Sequence, residues 1–328
     1  MPNYLSYATS VWRGRRGGPV VRAAVSVALV VLVLARVDIR QSLEKLGEIH
    51  WTFIAAAVAL QCLAWLISAF RWQVLLRHYG FAYRIPFLTV LYAATAFFSN
   101  FLPSTVGGDL YRFTVVTRGR PGTGAKALAS IVLDRGVGLV SLMAMNAVVS
   151  LVLFSTVVRS NLLTVLAGAM TLGLLLLVFG YAQRARLSRL LDGWRGRPVV
   201  GRIHTFANAV GDLDNNLVAA SAFVYSVVFV LLCSLLVWIF LIALGTPATF
   251  GQAVLVYTTA TFAAMAPLTI NGIGLLEAAY VALVYGTGGT AEVGLSLALL
   301  MRLTALGVSI PAGVFHLTAG RRGTEERS

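Results

Sequence analysis

Long apolar runs dominate this chain, and they decide which folds are open to it. Only helices and closed barrels satisfy their backbone hydrogen bonds inside a bilayer, and a helix needs about 20 apolar residues to cross one. Most of the runs approach or exceed that length, whereas the third, seventh and eighth are short. The sequence therefore predicts an all-α, polytopic integral membrane protein with about 7–9 membrane segments. The runs are 20–37, 52–70, 86–102, 127–157, 162–181, 217–244, 252–267, 275–285 and 292–317.

Composition supports this class of protein and excludes others. Hydrophobic residues make up 58% of the chain and charged residues 12%, whereas soluble domains contain about 25% charged residues. The net charge of +14 fits short cytoplasmic loops and contact with anionic lipids. Aromatic and basic residues do not alternate as they do in RNA-binding proteins, so no nucleic-acid partner is predicted. The sequence has neither a nucleotide motif nor a metal-ligand cluster, so no cofactor and no metal are predicted.

The charges between the runs predict how the chain is oriented. Cytoplasmic segments of membrane proteins are enriched in arginine and lysine. This rule places the N-terminus, the tail and segments 71–85, 103–126 and 182–216 in the cytoplasm, and segments 38–51, 158–161 and 245–251 outside. The first run follows several arginines and is predicted to be a retained helix. We predict a multi-pass protein of the inner (plasma) membrane with three parts, which are a cytoplasmic N-terminus (1–19), one transmembrane domain (20–317) and a cytoplasmic tail (318–328).

One apolar run lies between two basic segments, which a simple series of spans cannot explain. Segments 71–85 and 103–126 both belong in the cytoplasm, so run 86–102 is predicted to be re-entrant. In the second half, runs 252–267 and 275–285 together must begin and end outside. They form either two thin spans or a re-entrant pair.

This arrangement divides the chain into two units of opposite orientation. The first unit (20–157) begins inside and the second (162–317) begins outside. We therefore predict two inverted repeats, each with a broken or re-entrant segment, as in many transporters.

A glycine motif followed by a carboxylate occurs once in each unit. The first copy contains Pro103, Gly107, Gly108 and Asp109, and the second occupies 267–277. Both copies share the pattern Pro-x-Thr-[Val/Ile]-x-Gly. Irregular backbone persists at membrane depth only inside protein or around a cavity. Paired broken segments of this kind indicate a transport site.

In the first copy, Asp109 and Arg112 lie one helical turn apart. The N–H groups of a glycine turn can hold an anion, and an arginine suits a bidentate contact with phosphate. We predict that both residues contact the substrate. In the alternative interpretation, Asp109 is an ordinary N-cap of a helix over 110–116 and Arg112 is solvated.

The second copy contains Asn271, Gly272 and Gly274 and ends at Glu277. Its G-x-G pattern follows no β-strand, so it does not predict a dinucleotide site. Two interpretations of Glu277 remain open. The carboxylate either complements the dipole of the helix that it begins, or it is buried and binds a cation or a proton.

Three more ionisable residues lie inside apolar runs, and these are Asp134, Arg135 and Arg302. A charge at the bilayer centre costs at least about 2.5–3.5 kcal/mol, so such residues face a polar interior and form pairs. Adjacent residues of a helix point about 100° apart, so Asp134 and Arg135 would face different walls of a cavity. The alternative places them near the cytoplasmic surface, with Arg135 snorkelling to headgroups. Arg135 and Arg302 follow the two motifs at similar distances, which supports the repeat.

Taken together, these motifs resemble the lysylphosphatidylglycerol synthase transmembrane-region family over about 20–317. That resemblance implies a flippase-like domain that moves lipids between leaflets. The chain ends at Ser328 without a soluble aminoacyl-transferase domain, so synthesis of lysyl-lipid is not expected. The second motif has Asn271-Gly272 where the family more often has Gly-Gly. The resemblance is carried by Phe70-Arg71-Trp72-x-x-Leu75-Leu76, Asn100-x-Leu102-Pro103-x-x-x-Gly107-Gly108-Asp109-x-x-Arg112, Ser130-x-x-Leu133-Asp134-Arg135 and Gly272-x-Gly274-x-x-Glu277-Ala278.

We therefore predict a non-enzymatic, flippase-like transporter of a phospholipid or another lipid with a polar headgroup. The two broken segments are expected to meet near the midplane and form a polar cleft. Membrane lipids are the predicted partners, and a homo-oligomer is compatible with the sequence. The alternatives are an intramembrane lipid-modifying transferase and an accessory protein of the cell envelope. The predicted substrate-binding residues are Asn100, Pro103, Gly107, Gly108, Asp109, Arg112, Asp134, Arg135, Asn271, Gly272, Gly274, Glu277 and Arg302.

Overall fold

The computed structural model describes residues 17–101, 107–155, 161–182, 216–266 and 268–319, and every regular element within these ranges is an α-helix. The all-α prediction is confirmed for this part of the chain. We number its helices in chain order. They are α1 (Gly17–Arg36), α2 (Ile39–Gly47), α3 (Trp51–His78), α4 (Ile85–Phe101), α5 (Gly107–Thr117), α6 (Gly124–Val152), α7 (Asn161–Ala182), α8 (Asn216–Ala243), α9 (Phe250–Ala264), α10 (Leu275–Gly286) and α11 (Ala291–Ala319).

Four of the described helices are long and apolar enough to cross a membrane, namely α3, α6, α8 and α11. Helix α3 has 28 residues, so it extends about 42 Å at 1.5 Å per residue. That length exceeds the roughly 30 Å hydrocarbon core of a bilayer. Parts of α4, α7 and α10 are apolar but shorter. The chain is therefore a helical membrane protein, as predicted.

The segment between the first two runs contains a helix that the apolar-run criterion missed. We expected 38–51 to be a loop, but α2 occupies most of it. The Asp38 carboxylate accepts a hydrogen bond from the Gln41 amide at 3.1 Å, and such an N-cap stabilises a helix start. On the surface of α2, Arg40 pairs with Glu44 at 2.9 Å. The helix is amphipathic and polar on average, so a search for apolar runs cannot detect it.

Helices α4 and α5 form an antiparallel pair, which we call the first hairpin (85–117). Near its closed end, a Cβ added to Gly108 would lie 2.7 Å from the carbonyl oxygen of Thr95, so glycine permits the two helices to approach closely. Near its open end, the Tyr83 hydroxyl donates a hydrogen bond to the Val116 carbonyl at 3.2 Å. The chain therefore enters and leaves the first hairpin at the same end of the helical bundle.

Helices α9 and α10 form a second antiparallel pair, the second hairpin (250–286). A Cβ added to Gly272, just before α10, would lie 3.4 Å from the Cβ of Ala264 at the end of α9. A Cβ added to Gly289, just after α10, would lie 3.6 Å from the side chain of Thr246 before α9. The two segments therefore lie close together at both ends of the second hairpin.

Helix α9 lies in the middle of the bundle. Every residue from Ala253 to Ala260 is buried, and a helix that is apolar and buried on all sides belongs to the core of a large or membrane-embedded bundle. Its polar groups are paired. The Asn146 amide of α6 donates to the hydroxyls of Thr258 and Thr259 at 2.8 and 2.9 Å. The second hairpin is therefore fixed to α6 by buried hydrogen bonds.

Segments that the charge pattern predicts on one side of the membrane lie together in the structure. The Ser296 hydroxyl near the start of α11 donates to the Ser42 carbonyl of α2 at 3.0 Å, which joins the start of run 292–317 to segment 38–51, predicted outside. Arg120 lies over the rings of Phe81 and Tyr83 at 5.5 and 5.2 Å, which joins two segments predicted inside. Which side of the membrane each pair of segments faces stays a prediction.

Candidate functional site

A group of five charged residues surrounds the start of α5, and we call it the first charge cluster. Its centre is Asp134 of α6, which is 1% exposed. One carboxylate oxygen accepts a hydrogen bond from the Nε of Arg71 at 2.7 Å, and the other accepts from Arg112 at 3.0 Å and from the Tyr92 hydroxyl. This carboxylate therefore joins α3, α4, α5 and α6. The members of the cluster are Arg71, Asp109, Arg112, Asp134 and Arg135.

Arg112 lies between the two carboxylates of the cluster. Its guanidinium donates to Asp109 at 2.7 Å and to Asp134 at 3.0 Å. It also stacks on the rings of Trp72 and Tyr92, with the guanidinium carbon 4.8 and 4.7 Å from their centroids. The residue is 3% exposed. The alternative in which Arg112 is solvated is therefore wrong.

Asp109 and Arg135 form the accessible side of the cluster. Asp109 lies in the first turn of α5 and is buried, and it accepts a hydrogen bond from the Nε of Arg135. The Arg135 side chain is 48% exposed, compared with 4% for Arg112. Asp134 and Arg135 thus serve different partners, as their adjacent positions on a helix predicted. Arg135 therefore belongs to the cluster and is not only a side chain that extends to the lipid headgroups.

Glu277 and Arg302 form a second charged site, which we call the second charge pair. The Glu277 carboxylate accepts from the Nε of Arg302 at 2.8 Å and from the Gly274 amide at 2.7 Å. The pair lies beside the second glycine turn (268–274), where Asn271, Gly272 and Gly274 have φ values of 49°, 70° and 82°. The contact with Gly274 places Glu277 at the start of α10, as the helix-dipole interpretation predicted, and binding of a proton or a further cation stays a prediction. The cation beside it is a guanidinium.

Both charged sites follow the same plan. In each, a carboxylate in the first turn of a hairpin's second helix pairs with an arginine of the next long helix, as Asp109 does with Arg135 and Glu277 with Arg302. Arg135 and Arg302 each lie eleven residues after the first residue of their helix. Both helices have 29 residues. Each arginine consequently lies near the middle of a helix that is long enough to cross a membrane.

Unpaired buried polar atoms concentrate at these two sites. Among the described residues, the buried side-chain nitrogens and oxygens without a hydrogen-bond partner are Arg112 Nε, Thr269 Oγ1 and Arg302 Nη2. The Nη2 of Arg302 lies 2.7 Å from Glu277, but it is not aligned for a hydrogen bond. An unsatisfied buried donor costs about 1–3 kcal/mol. Arg112 Nε and Thr269 Oγ1 therefore carry this cost, whereas Arg302 Nη2 keeps the electrostatic attraction of Glu277.

The structure brings together most of the residues that the sequence singled out. Gly107, Gly108, Gly272 and Gly274 are buried beside the charged groups that follow them. Pro103 and the side chain of Asn100 lie outside the described residues, so their predicted roles are untested. The polar cleft between the two turns also stays a prediction.

Three important side chains were missing from the predicted site. Arg71 was assigned to a basic loop, but α3 continues to His78 and Arg71 is 7% exposed within it. Its guanidinium also donates to the Ser226 hydroxyl of α8 at 3.1 Å. Tyr92 lies in an apolar helix, where a single polar atom gives little signal. The other two stood in recognisable motifs, Arg71 next to Trp72 and Thr269 in the Pro-x-Thr-[Val/Ile]-x-Gly pattern.

The fold and these two sites define a class of protein, a helical membrane protein with arginine–carboxylate contacts beside two glycine motifs, of which the first, Gly107-Gly108, is helical and not the turn that the sequence suggested. The chain belongs to the family described as the lysylphosphatidylglycerol synthase TM region, whose family model matches residues 20–313. The resemblance found in the sequence is thus confirmed over nearly the whole chain. No individual curated protein matches it.

Proposed function

We propose that this protein is a flippase-like transporter that moves a lipid with an anionic or otherwise polar headgroup between membrane leaflets. The first charge cluster is the observation that carries the proposal. Buried charges inside a membrane protein are costly and are usually functional. A helical membrane domain that needed only stability would be expected to use apolar side chains there, since a buried ion pair is often replaceable without loss of stability.

The charge balance of the cluster favours an anionic ligand. It contains three guanidinium groups and two carboxylates, and both carboxylates already accept hydrogen bonds from arginines. A lipid phosphate would balance the remaining positive charge. Arginine binds phosphate through two parallel N–H donors, and the half-exposed Arg135 is the accessible guanidinium. The acyl chains would stay in the bilayer while the headgroup passes the cluster.

The same contacts disfavour a magnesium-dependent transferase. Magnesium in transferases is usually held by carboxylates and substrate phosphates. Asp109, Asp134 and Glu277 each accept hydrogen bonds from guanidinium groups. A metal ion would have to displace those arginines. We therefore propose a transporter and not an enzyme.

Loss of Arg135 is expected to slow lipid transport. In Arg135→Gln the phosphate loses one charge-assisted hydrogen bond, worth about 1.5–3 kcal/mol, which corresponds to about a 10- to 150-fold loss of rate if the contact is made in the rate-limiting state. The measurement is the flipping of a fluorescent phosphatidylglycerol analogue in proteoliposomes, read by quenching of the outer leaflet. Arg40→Gln, which alters an exposed pair on α2, is the control. Equal rates in both variants would refute the role of Arg135.

We also propose that the described helices form two inverted repeats (about 20–157 and 162–317), in which α3–α6 correspond to α8–α11. Helices α3 and α8 both have 28 residues, and α6 and α11 both have 29. Each unit places a hairpin between its long helices, and each hairpin begins its second helix with a carboxylate paired to an arginine. Inverted repeats in transporters place their binding site at the repeat interface. Both termini would lie in the cytoplasm and the protein in the inner (plasma) membrane.

Cysteine labelling tests this orientation. Ala125 and Pro247 are exposed and lie next to the first and second hairpins. In a background with Cys62→Ser and Cys233→Ala, we expect a membrane-impermeant maleimide to label Pro247→Cys in intact cells. We expect Ala125→Cys to be labelled only after the membrane is opened. Labelling of both cysteines from one face would exclude the inverted arrangement.

A further inference from the structure

The carboxylate of Asp109 lies between two arginines that differ in exposure. One of its oxygens accepts a hydrogen bond from Arg112 at 2.7 Å, and the other accepts from the Nε of Arg135. The Arg112 side chain is 4% exposed, whereas the Arg135 side chain is 48% exposed. Asp109 therefore joins the buried part of the first charge cluster to its accessible part.

The pairing within the buried part does not depend on Arg135. Arg112 is also paired with Asp134 at 3.0 Å, and Asp134 is paired with Arg71 at 2.7 Å. If Arg135 moved away, the Asp109 carboxylate would keep Arg112 as a buried cationic partner. The costly case, in which a buried charge is left uncompensated, is thereby avoided.

The second charge pair has less reserve for such a movement. The Arg302 side chain is 22% exposed, about half as much as that of Arg135. Within the described part of the chain, the other hydrogen-bond donor to Glu277 is the neutral Gly274 amide. An anion that drew Arg302 away would leave this carboxylate without a cation. Exchange of an arginine between two anions is therefore less costly at the first charge cluster.

An anion that binds Arg135 competes with Asp109 for the same guanidinium. Carboxylates and phosphates both accept hydrogen bonds from the fork of N–H donors that arginine presents, and Asp109 already occupies the Nε donor of Arg135. Two anions held side by side also repel each other, which costs binding free energy. Asp109 thus has the charge and the contact of the group that it would compete with.

We propose that Asp109 is a built-in competitor in the first charge cluster. Its carboxylate holds Arg135, and a phosphate group binds by taking the Arg135 guanidinium from Asp109, which keeps its pair with Arg112. This inference rests on the proposed function, because it states how the same site takes up and releases its anion. Competition limits how tightly a headgroup is held and so favours its release. The phosphate belongs either to a lipid headgroup or to free phosphate.

Ligand binding to the full chain in a non-ionic detergent tests the proposal. The ligands are dihexanoyl phosphatidylglycerol and inorganic phosphate, each measured by isothermal titration calorimetry. Asp109→Asn removes the competing charge and keeps the shape of the side chain, so we expect about tenfold tighter binding of phosphatidylglycerol than in the wild type. Glu44→Gln removes a carboxylate from the exposed Arg40–Glu44 pair and should bind like the wild type. Should Asp109→Asn fail to fold, Asp109→Ser removes the same charge.

A double-variant cycle shows whether the competition acts through Arg135. In an Arg135→Gln background, Asp109→Asn should no longer strengthen binding, because there is no guanidinium to take over. An equal gain in both backgrounds would mean that only the net charge of the cluster matters, and would overturn the proposal. Binding that neither Asp109→Asn nor Asp109→Ser strengthens would also overturn it, since Asp109 would then orient Arg135 or have no effect on the ligand.

The outcomes separate the competition from the proposed function. Tighter binding of phosphatidylglycerol supports a lipid ligand, whereas a gain for inorganic phosphate alone assigns the competition to free phosphate. If lipid binding tightens and the wild type flips no lipid in proteoliposomes, the competition stands and the transport proposal fails. If the wild type flips lipid and neither Asp109 variant binds it more tightly, transport stands and the competition fails.

Discussion

Asp134→Leu is expected to destabilise the protein more than any other single substitution in the first charge cluster. The substitution leaves Arg71 without its carboxylate and Arg112 with only Asp109, all of them buried. Removal of one partner from a buried ion pair costs about 3–5 kcal/mol, because the remaining charge is uncompensated. The measurement is the unfolding midpoint of the purified protein in detergent.

Two controls show whether charge causes the loss. Glu44→Leu breaks the exposed Arg40–Glu44 pair, and surface pairs contribute at most about 1 kcal/mol. Its midpoint should stay near that of the wild type. The double variant Arg71→Met with Asp134→Leu removes one uncompensated charge, so it should recover part of the stability. A double variant no more stable than Asp134→Leu would mean that lost packing, and not charge, is responsible.

Gly274→Ala is expected to have the second largest effect. Gly274 has a φ of 82° and a ψ of −41°, a sparsely populated conformation in which a side chain costs about 1–3 kcal/mol. The new Cβ would also lie 2.7 Å from the Ser26 carbonyl oxygen and 2.8 Å from the Cβ of Leu29. Overpacking of this kind adds about 1–3 kcal/mol. Helix α1 must therefore move off the turn or the turn must change shape.

Gly245→Ala is the matched control for this prediction. Gly245 also has a positive φ, 72°, but a Cβ there would meet no atom within 4 Å. Its loss of stability should contain the backbone strain alone. The difference in unfolding midpoint between the two variants then measures the contact between α1 and the second glycine turn. If both variants lose the same stability, α1 does not press on the turn.

Much of the architecture could be predicted because hydrophobic length and charge are local properties. Long apolar runs predict α3, α6, α8 and α11. The basic segments predict which helix ends lie on the same side of the membrane. The glycine motifs were also visible, since a proline and several glycines interrupt a helix wherever they occur in an apolar run. The first hairpin could be expected from charge alone, because two basic segments enclose only one run.

The centre of the first charge cluster could not be predicted in the same way. Arg71 pairs with Asp134, 63 positions later, and its place beside a basic loop made it resemble an orientation signal. Tyr92 is one aromatic residue in an apolar helix, and its hydroxyl finds a partner in Asp134 only when α3, α4, α5 and α6 have assembled. Contacts between distant helices depend on how the bundle assembles, which periodicity and composition do not encode.

The hydrogen bond between Ser26 and Ile270 has a consequence for how the protein is made. The two residues are 244 positions apart, so α1 meets this partner only when most of the chain has been synthesised. Until then the side of α1 that meets the turn lacks this contact. Because contacts so distant in sequence form late, docking of α1 onto the second hairpin should be a late step of biogenesis.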